Sequence, residues 1–156
     1  FFSGYLAEKY PGVDFLDHEN GHILHTIFGF EGNPHWDPLH IASNIVIILG
    51  FFLLSSAWSV LHKAQQSYSL ATSGWYARCR HPQYIAFIMI MFGFLLQWPT
   101  LPTLVMFPIL VLAYVRLAKH EEEIAVQEFG EEYRQYMKAT PAWMPKLKIG
   151  DGTYAN

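Results

Sequence analysis

The chain has 156 residues, enough for one domain, and a formal net charge of −3. Hydrophobic residues make up 52% of it and charged residues only 15%, well under the roughly 25% of an average soluble domain. This composition disfavours an ordinary soluble domain and gives no sign of a nucleic-acid-binding surface. The single cysteine, Cys79, excludes an internal disulfide.

Residues 1–37 are predicted to form a non-cytoplasmic loop with one short helix around His18 to Phe28. The stretch FFSGYL resembles the tail of an apolar helix, so we expect one or more further membrane helices upstream. Within the short helix, three histidines lie at i, i+4 and i+7 on one face: His18, His22 and His25. Such a face could bind zinc or copper. Ordinary hydrogen bonds of a solvated helix explain it more simply, so no metal site is predicted.

Three apolar helices are predicted next, over Leu39 to His62, Pro82 to Trp98 and Thr103 to Lys119. The first and second carry no formal charge over most of their length, and uncharged runs of about 18 residues or more are transmembrane candidates. Pro108 is expected to kink the third helix. The sequence therefore predicts an all-α, multi-pass integral membrane protein with three transmembrane helices within residues 38–119.

Basic residues predict the orientation of these helices. Nine of the ten Lys and Arg residues lie in the loop 63–80 or beyond Val115. The positive-inside rule places that loop and the C-terminal segment 120–156 in the cytoplasm. The C-terminal segment should hold amphipathic helices, one continuing through Phe129 and a short one from Glu131 to Lys138. Residues 1–156 are thus interpreted as one membrane domain.

Two polar clusters face this same compartment, YARCRHPQY at residues 76–84 and HEEEI at residues 120–124. A short hairpin joins the helices that carry them, so the clusters should meet in space. Arg80 and His81 can bind a carboxylate or a phosphate. Neighbouring helical residues point about 100° apart, so at most one or two of the three glutamates can face one site. A belt of interfacial charges is the alternative interpretation.

The clusters also carry a resemblance to a known family. TSGWYARCRHPQY, then an apolar hairpin, then HEEEIAVQEFGEEYRQYMKATPAWMP resembles the isoprenylcysteine carboxyl methyltransferase family and the wider phospholipid-methyltransferase-like group. The similarity covers about Tyr68 to Pro145. It implies an integral membrane enzyme that uses S-adenosylmethionine in a cytosolic pocket. A lipophilic or small acceptor would reach that pocket from the membrane lipids, and the oligomeric state stays open.

The resemblance also implies roles for individual residues. Glu122 should bind the ribose hydroxyls of the cofactor. Arg80 and His81 are the candidate catalytic residues, with Arg80 directed to the methionine carboxylate or to the acceptor. The cofactor should be lined or held by Tyr68, Ser69, Leu70, Ala71, Tyr76, His81, Pro82, Gln83 and Tyr84. Methyl transfer from a sulfonium requires alignment and exclusion of water rather than a metal.

One departure from the family and two alternatives stay open at this point. Eukaryotic members carry an arginine four residues before the cofactor glutamate, where this chain has Ala118, which makes a prenylcysteine carboxylate a doubtful acceptor. Membrane sterol reductases share the RHPxY hairpin pattern, so an NADPH-dependent reductase is one alternative. A non-catalytic metal-handling accessory that uses the His18/His22/His25 face is the other.

Overall fold

The structure is a computed structural model and describes residues 38–146. Within that range every regular element is helical: α1 (Pro38–Gln66), a 3₁₀ helix (Gly74–Ala77), α2 (Pro82–Gln97), α3 (Leu101–Phe129) and α4 (Glu131–Ala139). The all-helical prediction is confirmed for this part of the chain. The predicted short helix around the N-terminal histidines lies outside the described residues.

Two of the helices, α1 and α3, are long and apolar enough to cross a membrane. Only 17% and 6% of their most apolar windows are buried, whereas the core helix of a soluble protein would be mostly buried. Large side chains such as Ile48, Phe52 and Leu112 are 60–67% exposed. Exposed apolar surface of this kind requires an apolar surrounding. The third apolar helix, α2, has 16 residues and is shorter than a standard span, so three crossings remain a prediction.

The chain divides into two compact units, each built from two separate stretches of the sequence. The described part of the first unit is residues 38–48 and 89–112, and its packing depends on a glycine. A Cβ added to Gly93 would lie 2.5 Å from Ile47 Cγ1 and 3.1 Å from the Ser43 carbonyl oxygen. Ser43 is itself fully buried, and its hydroxyl donates to the His40 carbonyl at 2.7 Å. Only a residue without a side chain allows α1 and α2 to approach this closely.

The described part of the second unit is residues 49–88 and 113–146. A core of small and aromatic side chains joins the C-terminal half of α1 to the loop after it. Val60 and Leu61 pack against it, and its buried members are Ala57, Ala64, Ala71 and Tyr76. Gly74, at φ +60°, begins the 3₁₀ helix in a backbone conformation that side chains disfavour. The core thus fixes where the loop leaves α1.

Helix α1 ends four residues later than predicted, at Gln66 rather than His62. Two backbone hydrogen bonds close it, from Ser69 N–H to the Ala64 carbonyl and from Tyr68 N–H to the Gln65 carbonyl. This is the Schellman arrangement, in which the residue after the cap is left-handed and is usually glycine. Here that residue is Tyr68, with φ 50° and a side chain that is 91% exposed.

Candidate active site

A cavity of about 460 Å³ opens in the second unit. Three parts of the chain form its wall: the end of α1 with the following loop, residues within 76–84, and residues 121–136 of α3 and α4. The cavity brings together most of the residues that the sequence predicted for a cofactor site. Those on the wall are Tyr68, Ser69, Leu70, Ala71, Tyr76, Arg80, His81, Gln83 and Tyr84.

Two predicted residues do not line this cavity. Pro82 is almost completely buried, and it is the first residue of α2. A proline is suited to that position because the first helical N–H has no intrahelical partner. Glu122 lies behind the wall, where two cavity residues contact it. The cofactor-binding roles of both residues stay predictions.

Arg80 is held by contacts with two helices. Its Nε and Nη2 lie 2.9 Å from Glu122 Oε1, and its Nη1 donates to the carbonyls of Met137 and Thr140 at 2.9 and 3.2 Å. The side chain is only 11% exposed. Carbonyls at the C-terminal end of α4 lack intrahelical donors, so a guanidinium satisfies them and complements the helix dipole. All three guanidinium nitrogens therefore already have protein partners.

His81 uses the same carboxylate oxygen. Its Nε2 lies 2.8 Å from Glu122 Oε1, and the side chain is 6% exposed. The His81 ring packs against Trp143 with centroids 5.4 Å apart. Backbone hydrogen bonds join this region to the segment after α4, from Arg80 N–H to the Pro141 carbonyl and from His81 N–H to the Ala142 carbonyl. Glu122 is thus the centre of a network that docks the C-terminal segment beside the cavity.

The predicted meeting of the two polar clusters is confirmed, and the three glutamates separate by direction. Glu122 contacts Arg80 and His81, while Glu121 lines the cavity and accepts a hydrogen bond from the Tyr84 hydroxyl at 2.5 Å. Glu123 is 75% exposed and lies 3.9 Å from His120. Adjacent positions about 100° apart on a helix require this divergence.

One donor on the cavity wall has no partner. Gln83 Nε2 is buried and makes no hydrogen bond to any described residue. A buried amide without an acceptor is costly, which makes it a candidate contact for a ligand. Adenine nitrogens and the methionine carboxylate of S-adenosylmethionine are acceptors of the right kind. Tyrosine rings and acidic side chains on the same wall suit a cation such as a sulfonium. The wall residues therefore fit this cofactor.

Burial raises the pKa of several tyrosines in this region above its ordinary value. It raises the pKa of Tyr76, with the nearby Glu121 charge adding to the effect, and it raises the pKa of Tyr136. Burial also raises the pKa of Tyr133 to about 12, with the glutamate charges adding and Arg80 opposing. Neutral phenols keep their hydroxyl protons at physiological pH, so they act as hydrogen-bond donors. The Tyr136 hydroxyl, for example, donates to the Tyr76 carbonyl at 2.6 Å.

Cys79 lies inside the polar motif but does not open into the cavity. It is 1% exposed, and burial raises the pKa of its thiol to about 11. A reactive cysteine requires an accessible thiolate. A catalytic or redox role for this thiol is therefore disfavoured.

Several wall residues were not predicted from the sequence. Leu61, Ala64 and Gln65 lie at the end of α1, and the others lie on one face of α3 and on α4: Glu121, Ala125, Glu128, Phe129, Tyr133 and Tyr136. The helical spacing of positions 121, 125 and 128 signals a common face. Tyr133 and Tyr136, at i and i+3, mark the buried face of the short amphipathic helix.

Residues 38–146 contain no group of three or more His, Cys, Asp or Glu side chains placed to hold a metal ion. The His18/His22/His25 face lies outside this range, so the structure does not test it.

Comparisons with known proteins extend these observations. The model of the isoprenylcysteine carboxyl methyltransferase (ICMT) family matches residues 38–128, more than half of the chain. The cobalt-zinc-cadmium resistance protein CzcN of Cupriavidus metallidurans is 28% identical over 132 residues, which cover 79% of this chain and 60% of the relative.

Two enzymes are also similar. Protein-S-isoprenylcysteine O-methyltransferase of Mus musculus is 33% identical over 90 residues, covering 57% of this chain and 32% of the enzyme. The Schizosaccharomyces pombe enzyme is 31% identical over 111 residues, covering 65% and 47%. The matched region thus spans at most about three fifths of these relatives. No solved structure matches the chain significantly.

The family match does not favour the reductase or the metal-accessory alternative. Together with the two apolar helices it indicates a membrane protein. The chain belongs to the isoprenylcysteine carboxyl methyltransferase family.

Proposed function

We propose that this protein transfers a methyl group from S-adenosylmethionine to a lipophilic or small acceptor. The observation that carries the proposal is the cavity wall. Residues of the motif that resembles the family line this one cavity, and the amide nitrogen of Gln83 has no hydrogen-bond partner among residues 38–146. The motif residues on the wall are Tyr68, Ser69, Leu70, Ala71, Tyr76, Arg80, His81, Gln83 and Tyr84. A soluble-type nucleotide fold is not required, because the helical hairpin and α4 supply the wall.

S-adenosylmethionine would supply an electrophilic methyl group on a cationic sulfur. Among the wall residues, Gln83 would donate to an acceptor atom of the cofactor. The rings of Tyr68, Tyr76 and Tyr84 would contact its adenine or its sulfonium. These residues bind and orient, which suits a displacement that depends on alignment and on the exclusion of water.

Glu122 affects the cavity through Arg80 and His81, which line it. Its Oε1 holds Arg80 and His81 on the wall, and Arg80 in turn holds the end of α4. We propose a positioning role for Glu122 and for Arg80, so that the loss of either would disturb the cavity. Direct contact of Glu122 Oε2 with the ribose, and of Arg80 with the methionine carboxylate, would be additional to that role.

The proposed location is a membrane with the cavity facing the cytoplasm. Helices α1 and α3, each long and apolar enough to cross a membrane, support the membrane part. The clustering of Lys63, Arg78, Arg80, Arg116 and Lys119 near the cavity end of these helices supports the orientation through the positive-inside rule. A three-crossing topology would place α2 in the bilayer as well.

Calorimetric titration of the purified protein in detergent tests the cofactor. S-adenosylmethionine and S-adenosylhomocysteine should both bind, with affinities in the micromolar range or tighter, and NADPH should not bind. Binding of NADPH alone would favour the reductase instead. A folded protein that binds neither adenosyl ligand would end the proposal.

A further inference from the structure

A pair of side chains at the cavity rim suggests what kind of acceptor this site takes. Glu121 lies on the cavity wall and is solvent-exposed, while Tyr84 is 8% exposed. The Tyr84 hydroxyl donates to Glu121 Oε1 at 2.5 Å. That bond uses the phenol proton, and a carboxylate has no proton to donate. What the pair still presents to a ligand is acceptor capacity, on both carboxylate oxygens and on the phenol oxygen.

Aromatic rings continue from this pair onto the apolar helices. Tyr84 stacks on Tyr114 of α3, with centroids 5.3 Å apart and planes 24° apart. Tyr114 stacks in turn on Phe87 of α2, at 5.8 Å and 18°. Phe87 is one turn further into the uncharged stretch of α2 than Tyr84. A lipophilic chain lying along these rings would bring its polar head to Tyr84 and Glu121.

No basic side chain on the described cavity wall is free to pair with the polar head of a lipophilic acceptor. Arg80 is the one Lys or Arg on the wall among residues 38–146, and each of its guanidinium nitrogens already contacts Glu122 or a carbonyl of the α4 end. Ala118, one turn before Glu122, is a 2% exposed methyl group. A carboxylate head would thus meet acceptors and negative charge, which costs several kcal/mol when like charges are juxtaposed.

We propose that the acceptor of this enzyme carries its nucleophile as an N–H, O–H or S–H group on a lipophilic chain, and that Glu121 receives the proton. This inference rests on the proposed methyl transfer. The lone pair of the acceptor forms the new bond to the methyl carbon. The carbon–sulfur bond breaks with its electron pair left on sulfur, and the acceptor proton passes to a Glu121 carboxylate oxygen. Charge and atoms balance, because the sulfonium becomes a neutral thioether as the carboxylate becomes a carboxylic acid.

The test compares amphiphiles that share one alkyl chain and differ in the head. Dodecylamine, dodecanethiol, dodecanol and dodecanoic acid are each incubated with the protein and methyl-labelled S-adenosylmethionine, beside an N-acetylated prenylcysteine. Dodecylamine, dodecanethiol or dodecanol should be methylated about tenfold or more faster than dodecanoic acid or the prenylcysteine. This ratio corresponds to a binding penalty of at least about 1.4 kcal/mol for a carboxylate head. Faster methylation of dodecanoic acid or of the prenylcysteine would overturn the inference.

Two neighbouring glutamates provide the variant and its control. Glu121→Gln should lower methyl transfer to the preferred acceptor by about 100-fold or more, the usual effect of losing a general base. S-adenosylmethionine affinity should fall far less than the transfer rate, because the tyrosine rings and Gln83 on the wall remain. Glu123→Gln makes the same chemical change one position later, on a side chain outside the cavity, and should leave both quantities unchanged. Full transfer activity in Glu121→Gln would contradict the assigned proton acceptor.

A second measurement does not depend on the cofactor. Dodecylamine, at one mole fraction in the detergent micelle, should raise the melting temperature of the wild type and of Glu123→Gln but not of Glu121→Gln. Dodecanoic acid should have no such effect. If this pattern holds in a protein that does not bind S-adenosylmethionine, the proposed methyl transfer fails and the inferred head group stands. Equal stabilisation by the acid would overturn the head group itself.

Discussion

The contacts inside one unit of the chain differ in kind from the contacts inside the other. In the first, described over residues 38–48 and 89–112, helices approach through a glycine and a fully buried serine, and a side-chain hydrogen bond between helices there, from Gln97 to Asn44, is 3.5 Å long. In the second, described over 49–88 and 113–146, an arginine, a histidine and a tyrosine make hydrogen bonds of 2.6–2.9 Å across distant parts of the chain.

The difference follows from what each unit must do. Apolar helices in an apolar surrounding gain little from hydrophobic burial, so close packing of small residues stabilises their contact. The charged cofactor proposed for the cavity of the second unit would need side chains fixed in direction, and directed hydrogen bonds supply that. Substitutions should therefore act through shape in the first unit and through lost partners in the second.

The largest effect is expected from Glu122→Gln. This change removes the negative charge that Arg80 and His81 share at 2.8–2.9 Å, while Arg80 remains only 11% exposed. Breaking a buried ion pair from one side typically costs about 3–5 kcal/mol, and this partly exposed one should cost about 2 kcal/mol or more. Denaturant unfolding followed by circular dichroism should show the loss, together with weaker adenosyl-ligand binding. Glu123→Gln is the matched control, and equal stability of the two variants would remove Glu122 from the centre of the network.

Gly93→Ala tests the packing of the first unit. Its new methyl group would lie 2.5 Å from Ile47 Cγ1 and 3.1 Å from the Ser43 carbonyl oxygen. Overpacking of this kind costs about 1–3 kcal/mol, which a thermal melt in detergent would detect. Adding Ile47→Ala should recover part of that loss, because it removes the side chain that clashes. A single variant as stable as the wild type would mean that the helices do not approach so closely.

Tyr136→Phe should have a smaller effect in the second unit. It deletes a buried hydroxyl that donates to the Tyr76 carbonyl at 2.6 Å and leaves that carbonyl without this donor. The expected cost is about 1–2 kcal/mol in the free energy of unfolding. Tyr68→Phe, at a 91% exposed position, removes the same atom without such a bond and serves as control. Similar losses in the two variants would contradict a specific role for the buried hydroxyl.

Tyr68 and Gly130 both have a positive φ, and substitutions at the two positions should change the free energy of unfolding in opposite directions. Tyr68→Gly should raise stability by about 1 kcal/mol, because the Schellman position then holds the residue it favours. Gly130→Ala should lower stability by about the same amount, although a Cβ there would meet nothing within 4 Å. Equilibrium unfolding measures both changes. Tyr68→Gly should also weaken adenosyl-ligand binding, since Tyr68 lines the cavity. A stabilised variant with full affinity would show that the ring does not contact the ligand.

The smallest expected effect concerns the reactivity of the Cys79 thiol. Cys79 is 1% exposed with a thiol pKa raised to about 11. Because the folded pKa is raised, the neutral thiol persists as pH rises through the ordinary range, and a maleimide should react slowly in the folded protein. The rate should rise with pH up to about 11 and should increase sharply in denaturant. Rapid labelling at neutral pH without denaturant would contradict the buried position.

Sequence alone predicted the helices and most of one cavity wall, for identifiable reasons. Long uncharged runs predict α1 and α3, and Pro82 and Gly130 mark where helices begin and end. The wall residues between Tyr68 and Tyr84 were predicted from the resemblance to the family, whose motif lies within this one stretch of the chain.

The opposite wall depends on the rotation of α3 about its axis, which tertiary packing decides. The sequence shows three adjacent glutamates but not that Glu121 faces the cavity and Glu122 faces Arg80. Ala118, four residues before Glu122, is buried and lies on the packed face of α3. The sequence alone does not show which face of α3 is packed. Arg80 contacts the carbonyls of Met137 and Thr140, which lie 57 and 60 positions later in the chain. No local sequence pattern predicts a contact over that separation.

Photo-crosslinking of adenosyl-labelled S-adenosylmethionine tests the central claim most directly. After ultraviolet irradiation and digestion, mass spectrometry locates the labelled peptides. The account predicts adducts within Tyr68–Tyr84, above all on the tyrosines that line the cavity, and their loss when excess S-adenosylhomocysteine is present. Adducts confined to residues outside 61–136, or adducts that S-adenosylhomocysteine does not displace, would contradict a cofactor site in this cavity.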